Sequence, residues 1–408
     1  MITTRSMSND ANSPARSWSV PVSAAIAAVV GTTVYLLRSR REEAPDALGK
    51  FAKEVEIAAA EVDVPAWARE DARPECLKDV QEWRQGPRPS DVCIAKHYET
   101  DWQGRPVELE PVQVRAWRED PELYSYERLP ALPAAFAAKK ISANSVPCVW
   151  ANWPGVESVA DGVVLYMHGG ANIFNSAEGD INHAARLSQL FGQRVLSVDY
   201  RRAPEHPLPA STLDVVAAYE WLLGEGGYAP AQVALCGFSS GGMSVVLALQ
   251  EIKRRQLPMP ACGVPVSAFH QHSDDLEYRT ARGTILQQIW QMNCGNLNID
   301  GEPTGSNADV NDATYSFLSG DFSGLPPLYV LVGGQEQLCD LNTSLRLAAK
   351  AKQAGVDVTL DIAAYLQHCP IGQDVMRCPE DAACAFRVAS FLRRVMGKLS
   401  PCIIQSKP

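Results

Sequence analysis

The chain has 408 residues, of which 46% are hydrophobic and 21% are charged, a balance typical of a soluble globular core. Its 37 basic and 47 acidic side chains give a net charge of -10, so we expect no nucleic-acid partner. The 11 cysteines form no C-x-x-C pair or His/Cys cluster. We therefore predict buried free thiols in a reducing compartment and no metal site.

The N-terminal region reads as a disordered segment followed by a membrane anchor. Residues 1–19 are rich in Ser, Asn, Thr and Pro, and residues 20–37 are uncharged and apolar or small. A helix over 20–37 would be about 27 Å long, close to a bilayer's hydrocarbon thickness. A cleaved signal peptide, a targeting presequence or a buried helix would also fit. Three arginines at 38–41 favour a single-pass anchor with the rest of the chain in the cytosol, the ER lumen being the alternative.

The remaining chain predicts helices that cover an α/β domain. Residues 45–90 are acidic, alanine-rich and helical in character, and a catalytic-type domain is expected over 91–400. Two strands are predicted at 92–96 and 107–117. Apolar strands then alternate with helices, which indicates a parallel sheet covered on both faces. The strands are predicted at 147–152, 163–167, 194–198, 233–236, 262–266, 328–332 and 356–362. A polar insertion at 270–324, which contains a helical piece at 284–292, is a candidate lid.

One stretch, 236–242, reads Cys-Gly-Phe-Ser-Ser-Gly-Gly, a G-x-S-x-G pattern around Ser239. An apolar run precedes it and a helical pattern follows, so we predict a sharp turn from strand to helix. The backbone at the serine should be strained, and side chains in place of the glycines would collide with neighbouring elements. We predict an exposed, nucleophilic Ser239 hydroxyl, although the bare pattern also fits an ordinary small-residue turn.

A serine hydroxyl needs a base within hydrogen-bond reach and an acid that orients the base. Of seven histidines, His368 has the position expected of the base, after the last predicted strand. Glu336, in the loop after the preceding strand, is the predicted acid, and Asp340 is the alternative. Asp361, within the last strand, could also be the acid, although it would have to point away from the loop edge.

A glycine loop follows the strand at 163–167 and reads His168-Gly169-Gly170-Ala171. Glycines let a backbone turn its N–H groups toward a substrate. We predict that the amides of Gly169, Gly170 and Ser240 form an oxyanion hole, the alternative being a simple glycine turn.

These motifs, with the stretches at 199–210, 324–327 and 334–340, resemble the hormone-sensitive-lipase-like branch of the α/β-hydrolases. That branch includes carboxylesterases and arylacetamide-deacetylase-like enzymes, and the resemblance covers about 147–396. It implies an α/β-hydrolase fold, in which an eight-stranded, mostly parallel sheet is flanked by helices and carries a helical cap. It also implies ester hydrolysis without metal or cofactor, through an acyl-enzyme on Ser239.

Three positions depart from that family's pattern. Ala171 replaces the third glycine of the oxyanion loop, which should be tolerated unless the backbone there needs a positive φ. Phe238 replaces an acidic residue before the nucleophile, and Glu336 stands where the family mostly has Asp. A longer acid must seat His368 slightly differently.

The sequence thus predicts a serine hydrolase of carboxylic esters, with a small-molecule or lipid-derived ester of short or medium acyl length as substrate. Three alternatives stay open. The same three residues could serve an amidase or deacetylase, the fold could be a non-catalytic ligand receptor, or the insertion at 270–324 could make the protein a membrane scaffold.

Overall fold

The computed structural model describes residues 131–158, 160–270, 288–334, 341–364, 366–371 and 379–397, together with Arg118 and Glu336. The chain divides into two units, and every described residue belongs to the second, Ala58–Pro408. The segments predicted at 1–19, 20–37 and 45–90, and the strands predicted at 92–96 and 107–117, lie outside the described residues. Within the described ranges, no helix is long and apolar enough to cross a bilayer.

The core of the structure is one eight-stranded sheet, which confirms the predicted fold class. The strand order is β1-β2-β4-β3-β5-β6-β7-β8. The pairs β1–β2 and β2–β4 are antiparallel, and all pairs from β4 to β8 are parallel. The strands are β1 (Lys139–Ala143), β2 (Val146–Trp150), β3 (Val163–Met167), β4 (Arg194–Val198), β5 (Val233–Phe238), β6 (Cys262–Val266), β7 (Leu328–Gly333) and β8 (Val358–Ala363).

In the part of the chain that the structure describes, five helices of 11 to 18 residues cover both faces of the sheet, each placed between or after strands as the alternation predicts. Every residue of β3, β5, β6 and β7 is buried, as expected of parallel strands with helices on both sides. The first and last helices pack together on one face, and the second and third on the other. The helices are α1 (Ile181–Phe191), α2 (Ala210–Leu223), α3 (Ser240–Arg254), α4 (Leu341–Gln353) and α5 (Pro379–Met396).

The first strand was not predicted from the sequence. β1 has the sequence Lys-Lys-Ile-Ser-Ala and is mostly exposed, so it carries little of the apolar signal of a core strand. It pairs with β2 through a two-residue turn at Asn144 and Ser145, whose φ angles are 48° and 70°. Two consecutive positive φ angles are typical of the tight hairpin turns that match strand twist.

The described part of the insertion packs against the end of the sheet at which β6 ends. Residues 288–293 are helical, in partial agreement with the helix predicted at 284–292. Trp290 is fully buried, with its ring centre 5.7 Å from that of Phe269. Phe317 is also buried, and its carbonyl oxygen accepts a hydrogen bond from Gln250 of α3. The insertion therefore shares the core of the domain.

Three cysteines of the sheet are buried thiols, the state predicted for the cysteines from the sequence. Cys148, Cys236 and Cys262 are buried and free. Burial raises the pKa of the Cys148 thiol to about 12, so this thiol stays protonated and unreactive at neutral pH. These cysteines act as small apolar side chains.

Candidate active site

Ser239 sits on a strained turn between β5 and α3. Its φ and ψ are 55° and −118°, a backbone conformation that non-glycine residues rarely adopt. The turn is fixed by two hydrogen bonds, because Ser239 N donates to Val266 O at 2.9 Å and Phe269 N donates to Ser239 O at 2.9 Å. The strained turn predicted at this serine is thus present, and the side chain is partly exposed.

The glycines beside Ser239 allow close approach of the helix to the strands. A Cβ at Gly241 would lie 2.7 Å from His168 O and would overlap Met167 O. A Cβ at Gly237 would lie 3.0 Å from the Cα of Gly241. These distances are shorter than real Cβ contacts, so a larger residue would displace α3 from the sheet.

His368 and Glu336 contact each other across the ends of β8 and β7. The distance from His368 Nδ1 to Glu336 Oε1 is 2.8 Å. The Glu336 side chain is only 2% exposed and that of His368 is 13% exposed. A carboxylate can only accept a hydrogen bond, so Nδ1 carries the proton. In a neutral imidazole, Nε2 is then the nitrogen that can take a proton.

The loop glycines explain how the acid comes so close to the histidine. β7 ends at Gly333, and a Cβ there would lie 2.6 Å from the carbonyl carbon of Gln367. A Cβ at Gly334 would lie 2.6 Å from Ala364 O. Without side chains at these positions, the two loops can lie backbone to backbone.

Ser267 connects the histidine loop to the serine turn. Cys369 N donates to Ser267 Oγ at 3.1 Å, and Ser267 directly follows Val266, which holds the amide of Ser239. Ser267 N in turn donates to Leu331 O of β7 at 2.8 Å. The structure therefore brings Ser239, His368 and Glu336 to one edge of the sheet. Ser267 belongs to no motif, so no sequence signal points to its role.

A second support for the histidine loop is a buried polar cluster of Tyr166, Asp180 and His183. His183 lies in the first turn of α1, and its Nε2 donates to Ile371 O at 2.9 Å. Its Nδ1 lies 2.9 Å from the Tyr166 hydroxyl, which donates to Asp180. Burial alone would raise the pKa of Asp180, but hydrogen bonds from His183 and Tyr166 outweigh burial and lower it.

The glycine loop after β3 lies directly against the serine. A Cβ at Gly169 would lie 3.5 Å from Ser239 Cβ and 3.2 Å from Phe238 O. The preceding carbonyl, His168 O, accepts a hydrogen bond from the Tyr200 hydroxyl at 2.7 Å. Because N–H and C=O point in opposite directions in a trans peptide, this bond turns the Gly169 amide away from Tyr200.

The imidazole of His168 is a structural part of that loop. It is fully buried and stacks on the Tyr200 ring at a centroid distance of 4.3 Å. Burial lowers the pKa of His168, so the ring is neutral. Burial also raises the pKa of Tyr200, which therefore remains an O–H donor to His168 O.

The remaining predicted oxyanion residues lie in the same loop and directly after Ser239 in the chain. Gly170 has a φ of +122°, and a Cβ there would lie 2.8 Å from the carbonyl carbon of Phe174. Ser240 is the first residue of α3, where backbone amides have no acceptor within the helix. Ala171 has a φ of +56°, so this position does require a left-handed backbone, which is unfavourable for alanine.

The structure describes only one of the two other acids considered for the site. Asp340 lies outside the described residues. Asp361 is buried in β8, where it accepts from Arg387 Nε at 2.7 Å and from the Tyr329 hydroxyl at 2.6 Å. Asp361 thus points into the core, as predicted. Among the described residues, no three His, Cys, Asp or Glu side chains could hold a metal ion.

Two arginines, one of them within the connection at 199–209, hold this connection to neighbouring elements. Arg201 Nη2 lies 2.8 Å from Asp214 Oδ1 of α2. Arg118 Nε donates to Ile173 O at 2.9 Å, and its Nη1 lies 2.6 Å from Glu205. These contacts fix the connection beside the oxyanion loop.

The sheet and the serine turn together define an α/β-hydrolase. A family model described as "alpha/beta hydrolase fold" matches residues 164–371. An "Acetyl-hydrolase" of Streptomyces hygroscopicus is 30% identical over 276 residues, which cover 67% of this chain and 86% of that protein. The chain therefore belongs to this α/β-hydrolase family.

Other relatives support the same branch. A "Carboxylesterase/phospholipase LipF" of Mycobacterium tuberculosis is 33% identical over 217 residues, 50% of this chain and 55% of that protein. The solved structure of "an esterase from the bacterial hormone-sensitive lipase (HSL) family" is 29% identical with a TM-score of 0.61 and covers 81% of this chain and 99% of that one. These similarities confirm the predicted resemblance and the predicted class of enzyme, a carboxylic ester hydrolase.

Proposed function

We propose that this chain hydrolyses carboxylic esters through an acyl-enzyme on Ser239, with His368 as base and Glu336 as the acid that orients it. The observation that carries the proposal is the 2.8 Å contact between His368 Nδ1 and Glu336 Oε1, on loops joined through Ser267 to the serine turn. A receptor that only binds ligands would have no need of a buried carboxylate aligned with an imidazole.

The chemistry proceeds in two halves. His368 Nε2 takes the proton of Ser239 Oγ while Oγ bonds to the ester carbonyl carbon, and the resulting oxyanion is held by the amides of Gly169, Gly170 and Ser240. When the carbon–oxygen bond to the alcohol breaks, His368 gives its proton to the departing alkoxide. Water then attacks the acyl-enzyme, His368 takes one water proton, and transfer of that proton to Ser239 Oγ releases the acid.

We further propose short- or medium-chain acyl esters, including lipid-derived ones, as substrates. The support is the name of the Streptomyces relative, an acetyl-hydrolase, and that of LipF, a carboxylesterase/phospholipase. Matched p-nitrophenyl esters from acetate to decanoate would measure acyl length, and matched anilides would measure any amidase activity.

The test is an activity assay of the full chain and two pairs of variants. Ser239→Ala and His368→Ala should each lower kcat by at least about 10³-fold, since each removes a member of a unit that acts together. The matched controls are Ser197→Ala, a buried serine on β4, and His206→Ala, an exposed histidine in the connection before α2. Full activity of Ser239→Ala, or a folded parent that neither turns over esters nor reacts with a fluorophosphonate probe, would refute the proposal.

We also propose that residues 20–37 anchor the chain in a membrane, with the catalytic domain in the cytosol. The apolar composition of that segment and the arginines that follow it support the proposal. In the full chain, Ala27→Arg with Val30→Arg should move the protein from the carbonate-resistant membrane pellet to the supernatant. Equal partition of both proteins would count against an anchor.

A further inference from the structure

Asn293, in the insertion between β6 and β7, is hydrogen bonded to the oxyanion loop. It is fully buried, and its Nδ2 donates to Ala171 O at 3.0 Å and to Ile289 O at 2.9 Å. Its Oδ1 accepts from Asn172 Nδ2 at 2.7 Å. Both N–H groups and the oxygen of this amide are therefore used in holding one geometry.

The two residues that Asn293 holds have an unfavourable backbone. Ala171 and Asn172 have φ angles of +56° and +59°, in the left-handed region. Asparagine tolerates this region, but alanine has no side chain that compensates for it. Asn172 O accepts from Ala203 N at 2.9 Å, and Ala171 O accepts from Asn293, so contacts from outside the loop stabilise both peptides.

This left-handed pair sets the direction of the peptide group between Gly170 and Ala171. Ile173 N and Phe174 N both donate to Gly170 O, at 2.9 and 2.7 Å, which closes a turn with Ala171 and Asn172 at its centre. Rotation at either central residue would break that turn and swing the preceding glycine peptides. Gly169, in the same loop, lies against Ser239.

Asn293 is itself anchored independently of the loop. Its carbonyl oxygen accepts from Leu208 N at 2.8 Å, which ties it to the connection before α2. The side chain is thus presented to the loop from a fixed backbone. A fixed donor can select one of two loop conformations, whereas a mobile one could not.

We propose that Asn293 is a positioning residue for the oxyanion hole, so that the insertion determines how well the amides of Gly169 and Gly170 stabilise the transition state. The inference rests on the proposed function. It predicts an effect on the chemical step rather than on substrate binding, because Asn293 acts only through the loop. Displacement of an oxyanion donor by about 1 Å lowers rates by up to about 100-fold.

The test compares Asn293→Ala in the full chain with a matched control, Asn296→Ala. Asn296 is also in the insertion, but its side chain bonds only within it, to Gln291 and to the backbone of Ala308. With p-nitrophenyl butyrate, Asn293→Ala should lower kcat by about 10- to 100-fold with KM changed less than about 3-fold. Asn296→Ala should leave both constants within about 2-fold of the parent.

A second measurement separates positioning from general stability. A trifluoromethyl ketone with the same acyl chain forms a tetrahedral adduct whose oxyanion occupies the hole, so its Ki should rise in Asn293→Ala by the factor lost in kcat/KM. Adding Ala171→Gly should restore at least about 5-fold of kcat, since glycine adopts a positive φ freely. Asn293→Asp keeps the shape and the acceptor but removes both donors, and it should lose kcat as Asn293→Ala does.

The results distinguish failure of the positioning role of Asn293 from failure of the proposed function. If the parent is inactive, or active without Ser239, the proposed function fails. If the parent is active and depends on Ser239, but both Asn293 variants keep the parental kcat and Ki, the positioning role is refuted. It is equally refuted if they lose activity only in proportion to a fall in melting temperature that Ala171→Gly does not reverse.

Discussion

Replacing Glu336 by glutamine removes the charge that faces His368 while keeping the shape of the side chain. In the proposed mechanism His368 becomes an imidazolium when it takes the serine proton, and its Nδ1 lies 2.8 Å from the carboxylate oxygen. The pair is nearly buried, with the carboxylate side chain only 2% exposed. Unit charges about 4 Å apart gain about 4 kcal/mol at an effective dielectric constant of about 20. Loss of this term corresponds to about 10³-fold in kcat.

The amide introduced by Glu336→Gln can also fix the wrong tautomer. If this amide turns its NH₂ toward Nδ1, the ring proton moves to Nε2 and the base is lost. Glu336→Asp should lose less, since it keeps the charge but withdraws the carboxylate by about 1.5 Å, one carbon–carbon bond. The assay is the kcat and KM of the full chain on p-nitrophenyl butyrate between pH 6 and 10, with KM expected to change little.

The runner-up acid supplies the decisive comparison. Asp340→Asn should keep kcat within about 3-fold of the parent if Glu336 orients the histidine. The reasoning would be refuted if Glu336→Gln kept more than about a tenth of the parental kcat. It would be refuted more directly if Asp340→Asn gave the larger loss, because the orienting charge would then belong to Asp340.

Three further predictions concern stability. Gly241→Ala should lower the free energy of unfolding in urea by at least about 3 kcal/mol, because its Cβ would overlap the carbonyl oxygen at the end of β3. The control is Gly224→Ala, whose Cβ would have its nearest contact at 3.5 Å and which should change that free energy by less than about 1 kcal/mol. Arg387→Leu leaves Asp361 buried without its cation and should cost about 3–5 kcal/mol in the same assay. The pKa of Asp180 is lower in the folded chain than in the unfolded chain, so its ionised carboxylate stabilises the fold above about pH 4. This contribution disappears as the pH falls through the folded-state pKa. Asp180→Asn should therefore flatten the acid side of a profile of melting temperature against pH.

The sequence predicts well what short-range patterns encode. The limits of β3, β4 and β6 agree with the predicted 163–167, 194–198 and 262–266, because continuous apolar runs bounded by polar residues define buried parallel strands. The contact between Glu336 and His368 also follows from chain order, since they come after adjacent parallel strands whose ends share one edge. Glycine spacing around Ser239 predicts the strained turn for the same local reason.

Contacts between distant polar residues could not be predicted in this way. Asn172 and Asn293 are 121 residues apart, and His183 reaches Ile371 across 188 residues. A single asparagine or histidine has no periodicity, and its partner depends on how the loops pack. β1 was missed because its residues are mostly exposed and the strand carries little apolar signal.

The two sides of the site differ in how their geometry is specified. On the acid–base side, Gly333 and Gly334 let the loops approach, so local sequence suffices. On the proposed oxyanion side, Ala171 occupies a left-handed position that a glycine would adopt freely, and Ala171 O accepts a hydrogen bond from Asn293 in the insertion. Substitution of Asn293 should therefore reduce the rate of this enzyme more than the same change would in a family member with glycine at position 171.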